Sequence, residues 1–360
     1  MKRGFRCSAW LAVWVMLLGL MSCAQPGPGR GPDGSATEAA PLVWPKAPAQ
    51  ERIRFVRSVS GPKDWGVSRS FLRRAFDALS GRGEEVFMQP SAVAERAGVL
   101  YVADPGAQAL WIVDAPGDRY ARVTRVGEQA LISPVALALG PGGMVFVADT
   151  GLKKVFLLSS DGALVRTIAS PELERPAGLA WDGAAQQLFV LDSLKHRIAV
   201  FDAKGALLSQ FGEGGEQNGQ FNHPTHLTLD ASDAGDTLLV TDALNFRIQA
   251  LDRHGRFRWK FGKAGNGGGD FAAPKGVAVD SAGHVYVVDA LFDAVQIFDR
   301  EGQLLLAFGE HGSERGQFAL PGGIFISSED KVYVADAYNR RVQIFLGAIA
   351  TAATTKENVK

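Results

Sequence analysis

One pattern recurs six times along most of this chain, and that recurrence leaves few folds open. Asp104, Asp149, Asp192, Asp242, Asp289 and Asp336 follow one another at intervals of 45, 43, 50, 47 and 47 residues. Pro90, Pro134, Pro176, Pro224, Pro274 and Pro321 keep the same count. The unit is clearest from Ala272 to Gly309, which divides at turn signals into four strand-length runs, Gly276 to Val279, His284 to Val288, Ala294 to Phe298 and Gln303 to Phe308. The breaks read Asp-Ser-Ala-Gly and Asp-Arg-Glu-Gly, and Asp and Gly are the residues tight hairpin turns favour. Asp114, Asp202, Asp252 and Asp299 each precede a Gly by three residues in the turn between third and fourth strands, and Ser159 takes that place in the second unit. A period in the forties with four strands per unit predicts an all-β, six-bladed β-propeller of four-stranded antiparallel blades.

The last unit lacks a fourth strand after Val342-Gln343-Ile344-Phe345, whereas Arg52 to Val59 reads as a strand with no unit of its own. Pairing the two completes the last blade, closes the ring and removes two open sheet edges. The propeller is therefore expected over 51-347, with a tail at 348-360. A short amphipathic helix is expected at 68-79, where Phe71, Leu72, Phe76 and Leu79 share one side.

Lys2, Arg3 and Arg6 precede a thirteen-residue apolar run, Ala9 to Met21, ending at Ser22-Cys23. This is a signal-peptide pattern, too short for a comfortable membrane span of roughly 20 residues. Leu20-Met21-Ser22-Cys23 resembles a bacterial lipobox, which implies a signal peptide at 1-22 and lipidation of Cys23. Residues 23-50 contain Pro26, Pro28, Pro32, Pro41, Pro45 and Pro48 and are expected to form a tether. The expected location is the cell envelope, lipid-anchored, facing the periplasm from the outer membrane where there are two membranes.

Acidic and basic residues balance at 38 each, and no basic block lies beyond the signal segment, so nucleic-acid binding is not expected. Both cysteines, Cys7 and Cys23, precede the repeats, so the folded region has no thiol for a disulfide, a thiolate metal site or a nucleophile.

The later units resemble NHL repeats, as in Asp242-Ala-Leu-Asn245-Phe-Arg247-Ile-Gln249 and Asp336-Ala-Tyr-Asn339-Arg-Arg341-Val-Gln343. The connectors Phe211-Gly212 to Phe221, Phe261-Gly262 to Phe271 and Phe308-Gly309 to Phe318 resemble that family's links between blades. Ala107 and Leu152 stand where Asn is expected, so the first two units are degenerate. The resemblance covers about 300 residues from Arg52. It implies a propeller and leaves function open, since the fold hosts protein-binding, RNA-binding and catalytic modules.

In an antiparallel meander the connectors and the second-to-third-strand turns lie at the same end, which makes this rim the expected binding face. Candidate rim residues are Lys195, His196, His223, Thr225, His226, Asn245, Lys275 and Asn339. The Asp and Arg residues found in blade after blade are expected to cap turns. Departures from the pattern are more informative: two residues after the opening Pro stand Ala92, Ala136, Gly178, His226, Gly276 and Gly323, of which only His226 is large. His196, His223 and His226 fall on one rim and form either a metal set, for Zn²⁺ or Ca²⁺, or separate hydrogen-bonded histidines. No cofactor is firmly implied. The expected function is a membrane-tethered, monomeric binding or scaffold module for a protein or extended ligand in the envelope. The alternative is a metal-dependent lyase or hydrolase at the channel mouth.

Overall fold

The computed structural model describes residues 41–67, 85–230, 232 and 236–347. The expected signal segment, Cys23, the helix at 68-79 and the tail at 348-360 lie outside them. The described chain from Pro41 onward belongs to one compact unit. It is a six-bladed β-propeller of antiparallel meanders with almost no helix.

Blade five illustrates how sequence becomes sheet. Pro274–Val279, Val285–Asp289, Ala294–Phe298 and Leu304–Phe308 pair in order, within two residues of the runs marked by turn signals. The two middle strands are buried throughout, and their Val, Ile, Tyr and Phe side chains suit a pleated surface packed on both faces. The outermost strand is largely exposed. Six apolar clusters fill the spaces between blades, such as Val277, Val287 and Phe298 of blade five with Leu239 and Phe261 of blade four. No blade buries both its faces without its neighbours.

Ile53–Val59 pairs antiparallel with Arg341–Gly347, from Ile53 opposite Gly347 to Val59 opposite Val342, with a bulge between Phe55 and Arg57. Blade six thus takes its fourth strand from the N-terminal side of the chain. The inner strands of blades six and one also touch, the Gly323 N–H donating to the Ser91 carbonyl at 2.9 Å.

The ordered domain begins earlier than expected. Val43–Trp44 adds a fifth strand to blade six, so the last ten residues of the 23-50 segment are not simply spacer. The Trp44 ring lies 5.7 Å from Phe308 and 5.9 Å from Phe345. One indole on a ready aromatic cluster outweighs the proline content around it.

The repeated Asp is the joint of each blade. All six carboxylates are buried. Asp104 accepts from the backbone N–H groups of Met88, Gln89 and Ala107, and Asp149 from those of Ile132, Ser133 and Leu152. Asp192 and Asp289 bind their own connector and turn in the same way. In blades four and six the Arg and Gln of the third strand extend the joint. Arg247 Nε meets Asp242 Oδ2 at 2.8 Å, while its other nitrogens donate to the carbonyls of Glu216, Gln217 and Gln220. Arg341 repeats this with Asp336, Ser313, Glu314 and Gln317. Gly262 turns the Phe-Gly connector at φ +97, where a Cβ would lie 2.4 Å from the Phe271 ring.

On the opposite rim the turn residues do smaller work. Asp252 Oδ1 accepts from the N–H groups of His254 and Arg256, and Ser159 Oγ accepts from the Ala163 N–H, doing the job of the Asp it replaces. Asp242→Ala should therefore cost about 3–5 kcal/mol, because it leaves a buried guanidinium unpaired. Asp299→Ala, which loses one exposed turn bond to the Gln303 N–H, should cost about 1 kcal/mol. Urea unfolding of the two variants measures both, and equal losses would show that the buried joint has no special weight.

Candidate functional site

The connector rim opens into a well of about 630 Å³ at the mouth of the central channel. All six blades contribute to its wall, for example Ser91, Ser133, Arg175, His226, Lys275 and Tyr338. The opening prolines explain the placement. Five of them start an inner strand and Pro90 stands two residues ahead of one, so the residues just before and after each stand at the lip.

Four of the rim residues expected from sequence line this well: His223, Thr225, His226 and Lys275. Four others do not. Asn245 donates to the Gly215 carbonyl and to Asp242, and Asn339 donates to the Gly312 carbonyl and to Asp336. They are parts of the joint. Lys195 Nζ donates to the Pro171 carbonyl at 2.7 Å and sits 3.8 Å from Glu172. His196 Nδ1 accepts the His223 backbone N–H at 3.1 Å, with the two rings 5.0 Å apart.

That hydrogen bond also bears on the metal set. Among the described residues no three His, Cys, Asp or Glu side chains are grouped to hold an ion. The His196, His223 and His226 trio is therefore not assembled as ligands for Zn²⁺ or Ca²⁺: one His196 nitrogen is taken by backbone. His223 Nδ1, in turn, lies 3.2 Å from Asn222 Oδ1.

His226 sits where every other blade has Gly or Ala. At Gly276, the equivalent residue of blade five, an added Cβ would come 2.7 Å from the Ile324 nitrogen. This position faces the neighbouring inner strand, and the imidazole is wedged there. Its Nδ1 is sealed from solvent with no hydrogen-bond partner, as is Thr225 Oγ1. Burial, followed by the nearby Lys275 charge, pushes the imidazole pKa down to about 3. Burial also lowers the Lys275 pKa, assisted by the charge of Arg175 and opposed by Asp289.

Lys275 thus acts electrostatically on His226 and Arg175 on Lys275, and no Asp or Glu lines the well. Neither the Arg175 guanidinium nor the Lys275 ammonium makes a hydrogen bond or ion pair among the described residues. Asp289, which Lys275 feels electrostatically, has its oxygens filled by the N–H groups of Ala272, Ala273, Leu291 and Phe292.

Around the well stands a collar of exposed apolar side chains. Leu194, Leu244, Leu291 and Tyr338 each lie two residues after the repeated Asp, and Tyr338 and Leu291 are 66% and 64% exposed. Met88, Ile132 and Leu320 join them from the connectors. None of the exposed large apolar residues lies in a turn of the opposite rim among the described residues. Sequence reading missed Arg175 and this collar; the signal was the apolar residue at the second place after Asp in blades three to six.

Neither a protein-family model nor a curated protein matches the chain. Solved structures do. A streptogramin B lyase structure superposes with a TM-score of 0.56 at 16% identity, covering 72% of this chain and 93% of that one. An auxiliary nutrient binding protein from Bacteroides ovatus gives 0.56 at 14%, covering 72% and 69%. A chain of a nidogen/laminin complex gives 0.53 at 19%, covering 70% and 88%. At these identities the likeness is one of fold.

The His226 environment has a measurable consequence. In the unfolded chain its imidazole takes a proton near its ordinary value of 6.5, whereas the folded protein resists until about 3. The unfolded state then binds the extra proton, so stability falls as pH drops from 6.5 towards 3, by up to about 1.4 kcal/mol per pH unit. Thermal unfolding of wild type and His226→Gln between pH 7 and pH 4 should show the variant losing less. Parallel curves would mean that His226 is not held neutral.

Proposed function

We propose that this protein is an envelope-tethered binding module that engages a protein or extended ligand on its connector rim. The observation that carries the reading is the collar, whose large apolar side chains stand in solvent on one rim and are missing from the turns of the other. Exposed apolar side chains gathered on one face mark interaction sites. The collar is held on turns that buried Asp carboxylates tie to the connectors, so it is presented with little ordering left to do on binding. A propeller of similar fold, the auxiliary nutrient binding protein from Bacteroides ovatus, is named for binding. The lipobox-like Leu20-Met21-Ser22-Cys23 and the Pro-rich stretch after it support the tether.

The metal-dependent enzyme reading has less to stand on, since the three histidines are not grouped as ligands. The lyases of similar fold share the ring with this chain at 16% identity or less.

Two measurements test the proposal. A photo-activated cross-linker at Leu291 or Tyr338, in intact cell envelopes, should trap one common species, and Leu244→Asp should reduce the yield about tenfold. The same cross-linker at Leu208, exposed on an outermost strand, should not trap it. Equal trapping from Leu208 would sink the rim as the binding face. For the tether, the wild-type protein should take up label from cells grown with radioactive palmitate and Cys23→Ser should not; an unlabelled wild type would remove the lipid anchor.

A further inference from the structure

We propose that the well inside the collar binds the oxyanion head of a ligand whose apolar body rests on the collar, the class being carboxylate- or phosphate-headed amphiphiles. This rests on the rim-binding reading and adds the chemistry of what is bound.

Four observations converge. Arg175 comes from blade three and Lys275 from blade five, with Thr225 and His226 of blade four in the same wall. The two cations repel each other, and Lys275 is half-buried without a partner, an arrangement that costs free energy until an anion arrives. Their donor geometries differ usefully, since a guanidinium fork and an ammonium can share the oxygens of one head group.

The second observation is the sealed polar pair. Thr225 Oγ1 and His226 Nδ1 are buried beside these cations with no partner among the described residues. Both atoms are closed to solvent, so an anion in the well meets them as nearby dipoles and not by direct contact. Third, the lining has no carboxylate to compete, and the six Asp residues behind it already accept several N–H groups each. Fourth, Leu244, Leu320 and Tyr338 line the same well and continue into the collar. A volume of about 630 Å³ suits a small molecule or one chain end, since ligand pockets run roughly 300–1,000 Å³.

The test uses a matched pair of dyes that fluoresce in apolar surroundings. 8-Anilinonaphthalene-1-sulfonate carries an anionic head, and N-phenyl-1-naphthylamine is the same body without it. The chain from Ala24 to Lys360 keeps the whole compact unit that begins at Pro41, lacks both the apolar signal run and the acylation site, and needs no detergent. The sulfonate dye should bind at one site, at least tenfold more tightly than the neutral dye. Arg175→Gln with Lys275→Met should weaken the sulfonate dye tenfold or more and leave the neutral dye unchanged, while Leu244→Ser with Tyr338→Ser should weaken both. Octanoate and octyl phosphate as competitors then assign the head: displacement by one and not the other names carboxylate or phosphate.

Equal binding of the two dyes, insensitive to the charge variants but lost with the collar, would overturn the anion site and leave the rim reading standing. Failure of both dyes to bind would also overturn it, and the rim reading would then be judged by cross-linking alone. Because Arg175 is exposed, Arg175→Gln by itself keeps the test open if Lys275→Met fails to fold.

Discussion

Each blade depends on one buried carboxylate. A charge cannot sit in a protein interior unless hydrogen bonds or an opposite charge replace its water. The Asp at the end of each second strand therefore has to collect donors. It finds them in the two segments that strand direction brings to its end of the blade, the incoming connector and the turn to the third strand. The geometry of the rim follows from this demand. Connector and turn are pulled onto a common point, and the residues between those anchors are left facing outward. The collar at the second place after Asp and the basic groups beside the opening prolines are consequences of where the joint puts the chain.

The same demand explains why blades four and six look more elaborate than blade one. Their connectors are longer and Gly-rich, and they expose backbone carbonyls that a short connector does not have. Arg247 and Arg341 each bridge their Asp to three such carbonyls. In blade one, Trp111 supplies a single indole donor to Asp104 instead. The Asn-x-Arg-x-Gln signature is thus one way to satisfy a long connector; in blade five, whose connector is equally long, Gln296 alone reaches it, accepting the Gly269 N–H and donating to the Asp270 carbonyl. Asn245 and Asn339 belong to the signature, which is why they cap carbonyls and are not open to a ligand.

Much of this was legible in the sequence, and the reason is physical. A period of 43 to 50 residues, Asp and Gly at turn positions and a spare strand before the first unit are local features that a ring of blades must display. What escaped was of two kinds. Trp44 lies among prolines, and composition describes a segment's average, whereas a single aromatic contact decides whether it is held. Arg175 and Leu291 lie on loops, where an isolated charged or apolar residue reads as ordinary surface until the ring brings six loops together. Breaks in the repeat were the better guide. His226, Thr225 and Lys275 were marked as candidates near the opening prolines, and the structure places them in one well.

The state of His226 also bears on the proposed anion site. General acid-base catalysis works best when the group titrates near the operating pH. An imidazole held at about 3 is neutral at pH 7, so it has no proton to give as an imidazolium, and it is too weak a base to take one from a substrate hydroxyl or carbon. An anion settling beside it would raise that value by stabilising the charged form, and would lower the cost of the neighbouring ammonium as well. Charge that is unfavourable in the empty well becomes favourable in the filled one. That asymmetry is what the proposed anion site would use.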